Sequence, residues 1–191
     1  MTKQRFPFSW LLFVPFLLGT LALSGGCSKM DVRHYDGRMP QFDIVDYFSG
    51  QTRGWGIVQD RAGNLKRQFV VDIDGRLDKD GNLVLEEDFT WDDGELSRRV
   101  WTITRSDEGS LRGRAADVVG EASGDAAGNV LNWHYKLEVV VDGSTWVVSL
   151  DDWMFLQPDN IMLNRAEMSK FGIRVGDITI AFQKQSAPGG I

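Results

Sequence analysis

Apolar and polar residues alternate along most of the chain beyond residue 50. The stretch "LKRQFVVDIDGRL" puts Leu65, Phe69, Val71, Ile73 and Leu77 on one face, with polar residues mostly opposite. "NLVLEEDFTW" repeats the pattern with Leu83, Leu85, Phe89 and Trp91. "VLNWHYKLEVVV" carries an unbroken Leu131, Trp133, Tyr135, Leu137, Val139 and Val141, and "DITIAFQK" adds Ile178, Ile180 and Phe182. Successive side chains of a strand point to opposite faces, so a period of two means strands that bury one face. Turn signals stand between them: "DGN" at Asp80–Asn82, "DG" at Asp93–Gly94, "GN" at Gly128–Asn129, "DG" at Asp142–Gly143 and "PDN" at Pro158–Asn160. Asp-Gly and Gly-Asn pairs accept the positive φ of tight hairpins. The pattern predicts about nine strands, over 53–60, 65–77, 82–91, 96–105, 110–120, 129–141, 145–157, 160–168 and 177–184. One short helix precedes them in "FDIVDYFSG", where Phe42, Val45 and Phe48 share a face, Asp43 caps and Gly50 stops.

Sequential antiparallel strands form a meander, and closing it removes two aggregation-prone edges. The expected fold is therefore all-β: an up-and-down, lipocalin-like barrel of eight or nine strands, ahead of a two-sheet sandwich. The short N-terminal helix would lie over one mouth. Lys66, Gln68, Asp72 and Asp74 on outward faces argue against a barrel whose outside meets lipid.

The N-terminus has a different pattern. Lys3 and Arg5 precede an apolar run from Trp10 to Leu23, and small residues lead to Cys27, the one cysteine in the chain. A basic start, a short apolar stretch and a small-residue cleavage site describe an export signal. "LSGGC" resembles the bacterial lipoprotein signal, which implies cleavage after residue 26 and lipidation at Cys27; Ser28 in place of Asp implies outer-membrane sorting. The predicted organisation is a signal peptide over 1–26, lipidated Cys27 with a flexible tether over 27–41, the barrel over 42–185 and a disordered tail over 186–191. Without Lys3 and Arg5, 19 basic residues face 27 acidic ones, a mature net charge of −8. That balance disfavours nucleic acid and adhesion to anionic headgroups by charge alone.

Candidate chemistry lies among charged residues in strand interiors. In "TWVVSLDDWMFLQ", Asp152 shares a face with Trp146, Val148, Leu150, Met154 and Leu156, while Asp151 lies opposite. The same register argument turns Arg67, Glu87 and Arg99 inward, makes Asp117 a candidate, and leaves either Asn164 or Arg165 inside. Buried ions must be paired, so these residues are expected to meet as arginine–carboxylate pairs or to hydrate a wet cavity. Two histidines, His34 and His134, supply no cluster for zinc and no triad, and no metal or cofactor is expected. A desolvated Glu87 would suit acid–base work, but no nucleophile accompanies it.

The stretches "YFSG…GWGIVQDRAG", "EDFTWDDGE…RRVWTI", "ADVVGEASGDAAGN", "DDWMFLQPDN" and "NRAEMSKFGIRVGDITIAF" together resemble a family of proteobacterial lipoproteins known only as a domain of unknown function. The resemblance covers about Phe42 to Lys184 and implies the barrel fold and an envelope location. It carries no catalytic residues; members tend to be encoded beside enzymes that modify membrane fatty acyl chains. The functional expectation is a periplasm-facing outer-membrane lipoprotein whose barrel binds a lipid, fatty-acyl or other apolar ligand, with Arg67, Glu87, Arg99, Asp117, Asp152 and Arg165 around it. The alternatives are an envelope scaffold with a packed barrel and, last, a lipid-modifying enzyme using buried carboxylates.

Overall fold

The computed structural model describes residues 30–106, 109–141 and 143–185. The expected export signal, Cys27 and the tail over 186–191 lie outside the described residues. The strands are β1 (Gly50–Asp60), β2 (Leu65–Leu77), β3 (Leu83–Trp91), β4 (Leu96–Arg105), β5 (Leu111–Arg114), β6 (Ala122–Ala127), β7 (Val130–Val141), β8 (Ser144–Leu156), β9 (Ile161–Lys170) and β10 (Ile173–Lys184). Each pairs antiparallel with the next, and β1 pairs with β10, so the meander closes into a barrel.

Ten strands stand where the alternation predicts eight or nine. The segment read as one strand over 110–120 is β5 and the loop after it, and β6 follows as a separate strand paired back on β5. β6 reads Ala-Ser-Gly-Asp-Ala-Ala, with no large apolar side chain to mark a face. Volume explains this. A Cβ on Gly124 would stand 2.4 Å from the Trp133 ring, and one on Gly113 2.5 Å from the same ring. Small residues on β5 and β6 make room for a tryptophan of β7, and the periodic signal disappears with their side chains. β10 begins at Ile173 rather than near 177, ahead of a register shift between Arg174 and Gly176.

One mouth is plugged. Helix α1 (Ile44–Phe48) starts at Asp43, whose Oδ1 accepts from the backbone N–H of Val45 at 2.8 Å and of Asp46 at 3.1 Å. Its C-terminal carbonyls are met by Lys184, whose Nζ donates to Asp46 and Tyr47 at 2.9 Å and to Ser49 at 2.6 Å. These are the carbonyls a helix leaves without internal partners. Phe48 packs edge-on against Phe182 with ring centroids 6.1 Å apart. The plugged mouth is thus framed by the hairpins β2–β3, β4–β5, β6–β7 and β8–β9. The opposite mouth carries β1–β2, β3–β4, β5–β6, β7–β8 and β9–β10.

A ten-stranded barrel is wider than an eight-stranded one, and large rings fill much of its interior. Phe69 and Phe182 fit only because Gly56 and Gly54 face them: an added Cβ would lie 2.1 Å from Phe69 and 2.7 Å from Phe182. Val71, Ile73, Leu83, Leu131 and Met162 complete a buried layer there. Outside, residues 30–41 run over β7 and β8, where the Tyr35 ring stands 5.8 Å from Phe155 and 6.3 Å from Trp153. Trp153, outward-facing by register, is consequently buried by the chain's own N-terminal stretch.

Gly75 is where the plug meets the wall: a Cβ there would stand 1.8 Å from the carbonyl oxygen of Phe48. Backbone against backbone cannot rotate away. Gly75→Ala is expected to destabilise the barrel by about 1–3 kcal/mol, the usual cost of overpacking, as measured by urea denaturation.

Candidate functional site

Midway up the barrel an ionic layer crosses the apolar interior. Register explains its membership. Glu87 lies between Leu85 and Phe89 on β3 and pairs across to Arg99 on β4. Asp152 on β8 pairs with Trp133 on one side and Ala166 on the other. Every one of these positions belongs to an inward-facing set, so a polar residue placed there enters the barrel.

Arg99 is the centre. Its Nε donates to Asp117 Oδ1 at 3.1 Å and Oδ2 at 2.9 Å, and Nη2 donates to Oδ2 at 2.7 Å. Nη1 stands 3.7 Å from Glu87, and the guanidinium lies 5.6 Å from the centroid of the Phe89 ring. Asp117 comes from the β5–β6 loop, which dips into the open side of the barrel. Asp152 has a different partner: it accepts from the Asn164 amide. Tyr135 lies close enough to feel Arg99, Glu87 and Asp152, and its hydroxyl makes no side-chain hydrogen bond among the described residues.

Burial governs the protonation of this layer. Desolvation pushes Glu87 up to about 7, with Arg99 pulling it back and Asp117 adding to the rise. Desolvation likewise pushes Asp152 up to about 7, opposed by the Asn164 hydrogen bond and reinforced by Asp151 and Glu87. The Tyr135 phenol is raised for the same reason. Arg99 is held charged by its carboxylate partners against its own desolvation. Near neutral pH the layer therefore has one firm ion pair, Arg99–Asp117, beside two carboxyls poised between their forms.

The remaining expected residues lie elsewhere. Arg67 sits at the open rim, where Nη2 donates to Asp93 at 2.8 Å and Glu95 at 2.9 Å while its guanidinium covers the Trp91 ring at 4.0 Å. It braces the β3–β4 hairpin and does not join the layer. Arg165 points outward, 67% exposed, with Asp177 at 3.8 Å. Asn164 occupies the inward position beside it, because β9 alternates Met162, Asn164 and Ala166 inward. Asp151 is outside as expected, held by Asn132 Nδ2 at 2.8 Å and His134 Nδ1 at 3.3 Å. Sequence reasoning passed over Tyr135, counted as one more member of an apolar row; its hydroxyl was the available signal.

Several inward side chains between this layer and the open mouth are only partly buried. Ile178, Ile180, Met168, Val139, Phe89 and Trp91 face inward and pack on the core, yet each stays only partly buried. Glu87 and Arg99 keep 13% and 20% of their side-chain surface accessible. Two depressions open directly to solvent: about 320 Å³ beside Phe89 and Ser97 near the open rim, and about 280 Å³ beneath Met30–Val32 against Asn132 and His134.

The raised carboxyls give stability a defined pH dependence. Between the unfolded values near 4 and the folded values near 7, the native state binds more protons than the unfolded chain. Stability contributed by these two groups is present at about pH 4 and is lost as pH rises toward 7, by up to about 1.4 kcal/mol per pH unit for each group. Asp152→Asn keeps an acceptor for Asn164 and removes the ionisation. Denaturation of this variant is expected to vary less between pH 5 and 8 than that of the parent, and to show greater stability at pH 8. Arg99→Met leaves Asp117 and Glu87 without a counter-ion and is expected to cost about 3–5 kcal/mol at pH 7 in the same assay.

No curated protein matches this chain. The model of a family described as "Protein of unknown function (DUF3833)" matches residues 21–184, nearly the whole barrel and the stretch before it. The chain belongs to the DUF3833 family.

Proposed function

We propose that the barrel is a binding cup for an amphipathic molecule with a long apolar part, of the lipid or fatty-acyl class. The observation that carries this reading is the accessible apolar wall between the ionic layer and the open mouth. Pockets for small molecules are mostly apolar with a few placed polar groups, and this cup has that composition. Ile178, Ile180, Met168 and Val139 supply the apolar wall. Tyr135 offers an unused hydroxyl at the floor, and Arg99 offers a cation already half-neutralised by Asp117. An anionic headgroup would compete for Arg99 and favour the protonated forms of Glu87 and Asp152.

The same reading places the protein in the outer membrane facing the periplasm, attached through acyl chains on Cys27. The sequence before Cys27 supports it, and two or three acyl chains hold a protein to a bilayer where one does not. A packed scaffold is the second reading, favoured by Trp101 and Trp133, whose rings meet at 5.9 Å across the middle of the barrel.

Native mass spectrometry of the protein extracted from the envelope is expected to show a co-purified lipid, and fatty acids are expected to quench tryptophan fluorescence. Tyr135→Phe removes one hydrogen bond to the ligand and no apolar surface. It is expected to weaken fatty-acid binding about tenfold, the equivalent of ~1.4 kcal/mol. No bound lipid and no quenching would favour the scaffold.

A further inference from the structure

Every hairpin at the open rim carries an exposed apolar side chain. They are Leu65 on β1–β2, Leu96 on β3–β4, Val119 on β5–β6, Val140 on β7–β8, and Phe171 with Ile173 on β9–β10. Among the described hairpins of the plugged mouth, only β2–β3 exposes one, Leu77. The asymmetry is sharpest at the β9–β10 turn. Phe171 and Gly172 are its two central residues, with φ of 53° and 76°. Asn, Asp or Gly normally occupies the first of these positions, and a bulky aromatic is disfavoured there. Phe171 is also 94% exposed, so it returns nothing to the core for that cost. Folding alone does not account for it.

The neighbouring side chains indicate what does. The β9–β10 and β1–β2 hairpins touch, because Arg174 Nη1 donates to the carbonyl of Arg61 at 3.3 Å. Together they present Phe171, Ile173 and Leu65 with Arg61, Lys66 and Lys170 around them. Among the described residues, none of these three cations has a carboxylate within salt-bridge distance. Lys170 instead lies 3.2 Å from the centroid of the Trp146 ring and 5.6 Å from that of Phe171. The rim at β3–β4 is the contrast: Asp92, Asp93 and Glu95 make it acidic, and Arg67 is paired with two of them there.

We infer that the β9–β10 and β1–β2 tips dock the open mouth onto a bilayer containing anionic lipid. A convex tip with one protruding aromatic suits a soft surface it can enter, whereas a protein partner is met by a flat or concave patch. Lys and Arg beside it can lay their stems along the apolar surface and reach headgroup phosphates. The overall acidity of the chain does not oppose this, because charges farther away than about 8–10 Å are screened at physiological salt. The inference does not depend on what the cup holds; docking would bring the mouth to the bilayer whether or not a ligand passes through it.

Site-directed spin labelling of the full chain tests it. Cys27→Ser is combined with Phe171→Cys, or with Leu77→Cys at the plugged end, and each protein is placed in vesicles of seven parts phosphatidylcholine to three parts phosphatidylglycerol. The label at 171 is expected to collide severalfold more with oxygen and severalfold less with a water-soluble nickel chelate than the label at 77. Arg61→Glu with Lys66→Glu, or vesicles of phosphatidylcholine alone, should abolish that difference. A label at Ile173→Cys repeats the reading in case position 171 alters the turn. Equal aqueous exposure at both ends overturns the inference. So does protection at 171 that appears only when other envelope proteins are present, which would assign the tip to a protein partner.

Discussion

Closing the sheet forces the inward side chains of all ten strands into one shared space, and Arg99 is the cation that makes their mixture of charge and grease tolerable. Three carboxyls, Glu87, Asp117 and Asp152, lie inside with it. Asp117 takes the bidentate contact, leaving Glu87 and Asp152 to be neutralised by protons. An open sheet would let these groups turn to water. Because the barrel is closed, their desolvation persists, and it produces both the pH dependence of stability and a polar layer across an apolar interior.

The geometry around that layer is built by exchange of volume. Gly54, Gly56, Gly113 and Gly124 each face an aromatic ring from another strand, so the rings reach further across the barrel than side chains of even size would permit. Rings occupy both ends of the interior, Phe182 near α1 and Phe69, Phe89 and Trp91 toward the open rim. On the open side, Phe89, Trp91 and aliphatic residues face inward and stay only partly buried. Plug, ionic layer and a partly buried apolar wall therefore follow one another along the barrel.

Much of this was legible in the chain. Alternation located β2, β3, β4, β7 and β8 almost to the residue, because each carries large apolar side chains every second position. Asp43 as the helix cap followed from its place before an apolar triplet, and Glu87, Arg99 and Asp152 followed from strand parity. The failures share a physical cause. β6 was missed because its buried inward residues are Ala122 and Gly124, and Gly124 leaves room for the Trp133 ring. Arg67 was turned inward by parity but lies at a strand end, where a long side chain can fold back onto Asp93 and Glu95. Arg165 and Asn164 were one residue apart, and only pairing with β8 and β10 decided between them.

The central claim is that accessible apolar space remains above the Arg99 layer. Methyl NMR of the protein equilibrated with xenon, which enters dry apolar cavities, tests this directly. The account predicts concentration-dependent shifts at the methyls of Ile178, Ile180 and Met168, with little change at outward-facing Leu163. Uniformly unperturbed interior methyls would mean a solid barrel, and would contradict it.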